Sequence, residues 1–196
     1  MEAYLMKLEV TLFEKAGMQN TEETLKIAKK FAEENNIRDI VIASSTGETA
    51  IKASQIFDLN KFNIVVVTHA YGFVKPGYQE MPDETRKKLT DKGIKVFTAG
   101  HALAGAERAF RKSLNMWLPV ELIARFLRST VCDGFKVCIE ISAMAADAGL
   151  VPVDKDVIAI GGTGRGSDTA VLLRPAYSSD LLDTKVRAIL CKPRDF

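Results

Sequence analysis

The chain has 196 residues, 47% of them hydrophobic and 27% charged, with a formal net charge of +2. That length can bury one proper core, as a single domain or a domain carrying an insertion, while Lys and Arg scattered among Asp and Glu argue against a nucleic-acid surface. No apolar run approaches the roughly 20 residues of a membrane span, and MEAYLMKLEV lacks a basic region followed by an apolar one, so the expectation is a soluble, cytoplasmic protein without a membrane partner.

In chain order, TEETLKIAKKFAEENN (21–36) places Leu25, Ala28, Phe31 and Ala32 on one face behind a polar, acidic first turn, which predicts a helix. IVIAS, after Asp39, is a short continuous apolar run of the kind found in strands covered on both faces. TGETAIKASQIF reads as the next helix, NIVVVTH (63–69) as a strand, PDETRKKLTDKG (82–93) as a helix and IKVFTAGH (94–101) as a strand. Such alternation predicts a parallel sheet with helical crossovers. ALAGAERAFRKSLNMW (102–117) and VELIARFLRST (120–130) read as helices, the second with Pro119 at its first turn. GFKVCIEISAMAADA (134–148) carries both signals. Val137, Ile139 and Ile141 alternate as in a strand, but the small-residue face and the following Gly149 favour a helix capped by that glycine. DVIAI (156–160) and AVLLRPA (170–176) are strands joined by GGTGRGSDT, and the whole predicts one α/β domain, 1–196.

Two stretches point to chemistry. In IVIASSTGETA a strand ends in Ser44, Ser45 and Thr46, Gly47 permits close backbone approach, and Thr49 lies in the first turn of a helix. Free N–H groups and hydroxyls then face one point that suits an anion, most commonly a phosphate; the alternative is that these hydroxyls only cap the helix. In the second stretch Gly161, Gly162, Thr163, Gly164, Arg165, Gly166 and Thr169 follow a buried strand. What comes next is extended rather than helical, and no Gly-Lys-Ser/Thr follows, so neither a dinucleotide turn nor a Walker loop fits. A flexible basic hairpin remains, in which Arg165 can grip a phosphate in bidentate fashion, or which is only a turn. His69 and His101 end two predicted parallel strands, on the edge where open α/β sheets bind ligands. His69 is the candidate acid or base, the alternative being a hydrogen-bonded crevice residue. HAYGFVKPGYQEMP (69–82) reads as a loop over the site whose Tyr71 and Phe73 can stack on a flat ring. Cys132, Cys138 and Cys191 match no zinc or CxxC spacing, so reduced, buried thiols and no metal are expected.

DIVIASSTGETA together with DKDVIAIGGTGRGSDTAVLLRP resembles the C-terminal α/β domain of pyruvate kinases, in which these two loops bind a sugar-bisphosphate effector. The likeness runs from about Thr21 to Pro175 and includes GFKVCIEISAMAADAG. It implies a three-layer sandwich with a mainly parallel sheet ending in an antiparallel hairpin. More narrowly, the chain is similar to small stand-alone proteins, mainly archaeal and of unknown function, that are pyruvate kinase C-terminal domain-like. The sequence leaves no room for the catalytic barrel, so pyruvate kinase activity is not expected, and Glu48 stands where effector loops tend to place Arg. Residues 99–133 have no counterpart in that domain and are expected to form a helical insertion that covers a crevice or joins copies into a homo-oligomer. Three readings result: a binder of a phosphorylated metabolite or a mononucleotide such as FMN, an enzyme using His69 on a phosphorylated substrate, or an assembly protein with no ligand. The first is preferred, since no nucleophile, metal cluster or acid pair stands out at motif spacing.

Overall fold

The structure, a computed structural model, describes residues 7–196. Residues 1–6, part of the segment read above for a signal sequence, lie outside the described residues. The strands are β1 (Thr11–Lys15), β2 (Asp39–Ala43), β3 (Asn63–Thr68), β4 (Lys95–Thr98), β5 (Val157–Gly161), β6 (Thr169–Arg174) and β7 (Lys185–Asp195). The helices are α1 (Thr21–Glu34), α2 (Glu48–Ile56), α3 (Asp83–Thr90), α4 (Glu107–Leu114), α5 (Pro119–Thr130) and α6 (Asp133–Asp147).

One seven-stranded sheet runs in the order β1-β7-β6-β5-β2-β3-β4. β5, β2, β3 and β4 pair in parallel, β6 runs against both β5 and β7, and β1 returns parallel to β7. The sheet is therefore mixed and mostly parallel, with the expected antiparallel hairpin at β5–β6. Because side chains alternate along a strand, Ile40 and Ile42 of β2 meet Leu25, Ala28, Ala50 and Ala53 of α1 and α2 on one face. Val41 points the other way, toward Cys138, Ile141 and Ala145 of α6. Both faces are covered, which is why the strands read as unbroken apolar runs. All three cysteines are free and buried. Among the described residues no helix is long and apolar enough to cross a membrane.

Three features differ from the sequence reading. β1 and β7 were not anticipated: β1 is mostly exposed at the sheet edge, and β7 begins exposed and charged, so neither carries a buried-strand pattern. The helix expected over 102–117 is confined to α4, with turns before it and Asn115 in the left-handed conformation after it. α6 is buried nearly all round, Lys136, Glu140 and Ser142 included, and this removes the single apolar stripe that would have told helix from strand. Gly149 ends it as expected, at φ +65° with its N–H on the Ala146 carbonyl at 2.9 Å.

Candidate functional site

The parallel register brings the carboxyl ends of β5, β2, β3 and β4 to one edge, so the segments that follow them become neighbours. After β2, the Ser44 N–H donates to the Val67 carbonyl at 3.0 Å, and its Oγ accepts the Ala50 N–H at 3.3 Å. Ser44 thus satisfies one N–H of the first turn of α2 from outside the helix, whose N-cap position is Gly47. Gly47 is left-handed at φ +93°, and a Cβ there would collide with the Thr85 side chain, so a glycine is needed to start α2. Among the described residues nothing accepts the N–H groups of Thr46, Gly47, Glu48 and Thr49. These are the orphan donors of a helix start.

After β5, the glycine-rich hairpin is pinned by a residue that the sequence reading did not single out. Asp168 is wholly buried. Its Oδ2 accepts the N–H groups of Gly17 at 2.9 Å and Thr163 at 3.2 Å, and its Oδ1 accepts the Thr169 hydroxyl at 2.8 Å. The Ser167 N–H donates to Thr21 Oγ1 at 3.0 Å, tying the loop to the start of α1. The loop is anchored at its second half and open at its tip.

Of the sequence-predicted residues, Ser44, Ser45, Thr46, Thr49, His69, Gly162, Gly164, Arg165 and Gly166 line one cleft of about 80 Å³, joined by Glu48. That space holds a few water molecules or one phosphate-sized group, not a flat ring system. Gly47 lies within the turn rather than on the cleft wall. Thr163 contributes its N–H to Asp168 instead, and Thr169 faces Cys132 and the start of α6, with its Oγ1 3.4 Å from the Cys132 sulfur. Thr169 begins the next strand, and its side chain is directed away from the hairpin tip.

His69 has a carboxylate partner that no motif spacing revealed. Its Nδ1 is 2.5 Å from Glu80 Oε2, and its Nε2 is 3.3 Å from Ser45 Oγ. Glu80 Oε1 accepts Arg165 Nη2 at 3.2 Å, so the only cation of the hairpin already faces a nearly buried carboxylate. Gln79 holds the loop in place by donating to the His69 carbonyl at 2.9 Å, and its Oε1 accepts the Met81 N–H at 3.2 Å. Phe73 does not face the phosphate-sized cleft. It stacks on His69 at 3.9 Å between centroids, with Arg108 4.9 Å from its ring. Tyr71, 62% exposed, lines a second cavity of about 330 Å³ beside Phe73, His101, Arg108 and Lys112.

His101 sits differently. Its Nδ1 is 3.8 Å from Glu140 Oε2, which is itself 2.6 Å from the buried Lys136 Nζ, and Glu140 Oε1 accepts the Leu103 N–H at 3.0 Å. Burial lowers the His101 imidazole to about 4, with Glu140 opposing and His69, Lys136 and Arg108 adding to the fall. Burial likewise lowers Lys136 against the pull of Glu140. Glu140 is pushed up by burial, but Lys136, His101 and the Leu103 N–H outweigh that and leave it below the ordinary carboxylate range. Among the described residues no group of three or more His, Cys, Asp and Glu gathers as a metal site.

The family model for the pyruvate kinase alpha/beta domain matches residues 22–173, which spans α1 to β6 and includes both loops of the cleft. The chain belongs to the pyruvate kinase alpha/beta domain family.

Proposed function

We propose that this chain binds a phosphate-bearing small molecule, a phosphorylated metabolite or a mononucleotide such as FMN, with its phosphate at the start of α2. One observation carries the reading: four consecutive N–H groups, Thr46 to Thr49, have no acceptor among the described residues and belong to the turn that walls the same cleft as the glycine hairpin. The Thr46 and Thr49 hydroxyls add donors. Arg165, 56% exposed, can leave Glu80 and turn to the ligand. The flat part of a mononucleotide is too large for the cleft and would lie outside it. The role needs no pyruvate kinase chemistry. Titration with FMN and with riboflavin, which lacks the phosphate, tests it. FMN is expected to bind at least about tenfold more tightly, since a charge-assisted hydrogen bond contributes roughly 1.5–3 kcal/mol; equal affinities would reject the phosphate site.

A second reading, an enzyme that uses His69 as acid or base on a phosphorylated substrate, is favoured by the Glu80–His69 hydrogen bond. An imidazole oriented by a hydrogen-bonded carboxylate is the arrangement proton transfer uses.

A further inference from the structure

We propose that Ser45 is a nucleophile, activated by His69 and Glu80, and that the cleft catalyses acyl transfer from small carboxylic esters to water. The inference rests on the acid–base reading of His69, not on the identity of any bound phosphate compound. Glu80 Oε1 accepts from Arg165 and Oε2 lies 2.5 Å from His69 Nδ1, and the tautomer that satisfies both contacts carries its proton on Nδ1. Nε2 is then left as the acceptor for the Ser45 hydroxyl, 3.3 Å away, a separation ordinary for a nucleophile and base without substrate. Phe73 covers one face of the imidazole and keeps the pair from water on that side. Ser45 stands in the turn between strand β2 and helix α2, two residues before the left-handed Gly47, and the N–H of the residue after it, Thr46, is unpaired among the described residues. That is the strand, nucleophile and helix order in which a serine is presented beside an oxyanion donor. Ser44, its neighbour, is buried with its Oγ accepting the Ala50 N–H, and it is Ser45 that meets the imidazole.

In the reaction, Ser45 Oγ bonds to the ester carbonyl carbon while its proton passes to His69 Nε2. The carbonyl electron pair moves onto oxygen, held by the Thr46 and Gly47 N–H groups. Collapse breaks the bond to the alcohol, which leaves with the proton from Nε2. Water, giving its proton to His69 Nε2, then attacks the acyl carbonyl carbon; collapse breaks the bond to Ser45 Oγ, which takes the proton back from Nε2 as the carboxylic acid leaves. Glu80 is a positioning residue that favours the imidazolium. The space of about 80 Å³ limits the acyl group to a short one.

The test is labelling with a fluorophosphonate, which phosphonylates an activated serine with loss of fluoride, read by peptide mass. Wild type is expected to label at Ser45 alone and to hydrolyse p-nitrophenyl acetate. Ser45→Ala should do neither, and His69→Gln should label roughly 100-fold more slowly. Glu80→Gln should slow labelling, because the imidazolium formed in the reaction loses its carboxylate, and Glu80→Asp should restore part of the rate. Circular dichroism confirms that each variant is folded. An unlabelled wild type, or labelling undiminished in Ser45→Ala or His69→Gln, overturns the inference. Calorimetry of the wild type with inorganic phosphate separates the two proposals. Phosphate binding without labelling defeats only the nucleophile, and labelling without phosphate binding defeats only the phosphate site.

Discussion

His69 and His101 follow adjacent strands on the same sheet edge, with ring centroids 5.3 Å apart, yet their surroundings set them to different tasks. The His69 side chain is 32% exposed and its carboxylate, Glu80, is otherwise paired only with the exposed Arg165. The His101 side chain is 13% exposed, and its nearest carboxylate, Glu140, is already engaged by Lys136 and the Leu103 N–H. Burial therefore wins at His101 and keeps it neutral, while His69 has a Glu80 oxygen at one nitrogen, the other oxygen of that carboxylate facing Arg165, and a serine at the other nitrogen. Position on a strand end nominates a histidine; the partner of its neighbouring carboxylate decides what it can do.

The largest expected effect breaks the buried half of this contrast. Glu140→Gln leaves Lys136 charged without a counter-ion inside the core, which should cost about 3 kcal/mol in urea denaturation, whereas Glu80→Gln, facing partly exposed partners, should cost about 1 kcal/mol. Similar costs at both positions would erase the distinction. A second effect is pH dependence. The folded His101 titrates near 4, below its reference value of 6.5, so the unfolded chain takes up the proton first. The contribution is fully present above about pH 6.5 and is lost as pH falls toward 4, amounting to about 2 kcal/mol once partial exposure is allowed for. Stability measured across that window should flatten in His101→Gln. A smaller effect sharpens the exposed half. Arg165→Ala should weaken a phosphate ligand about fivefold and flatten its salt dependence, with Arg165→Lys restoring only part, because bidentate geometry is lost. Equal affinity in wild type and Arg165→Ala would leave the hairpin as a turn.

Much of the fold was legible because its elements carry unambiguous periods. β2, β3 and β5 are apolar runs covered on both faces, and α1 has one apolar stripe. β1 carries no such signal because an edge strand is half solvated, β7 because its first residues are exposed and charged although it lies between β1 and β6, and α6 lost its stripe by being buried all round. The cleft was legible from Ser44 to Thr49 and from Gly162 to Gly166, since turns demand glycine and anions demand donors. Glu80 was not, because an acid in a loop eleven residues past His69 obeys no spacing rule and is placed only by the folding back of that loop. Asp168 stood within the quoted GGTGRGSDT. An acid at the closing end of a glycine loop, able to accept nearby backbone N–H groups, is a signal of an anchored turn that was available and not used.

The central claim is that the Thr46–Thr49 amides hold a phosphate, and amide-resolved NMR during titration with inorganic phosphate tests it most directly. Saturable shifts at Thr46, Gly47, Glu48 and Thr49, with smaller ones at Gly164 and Gly166 and none around Lys136 and Glu140, are the predicted result. Four amides that stay unmoved at saturating phosphate would contradict it.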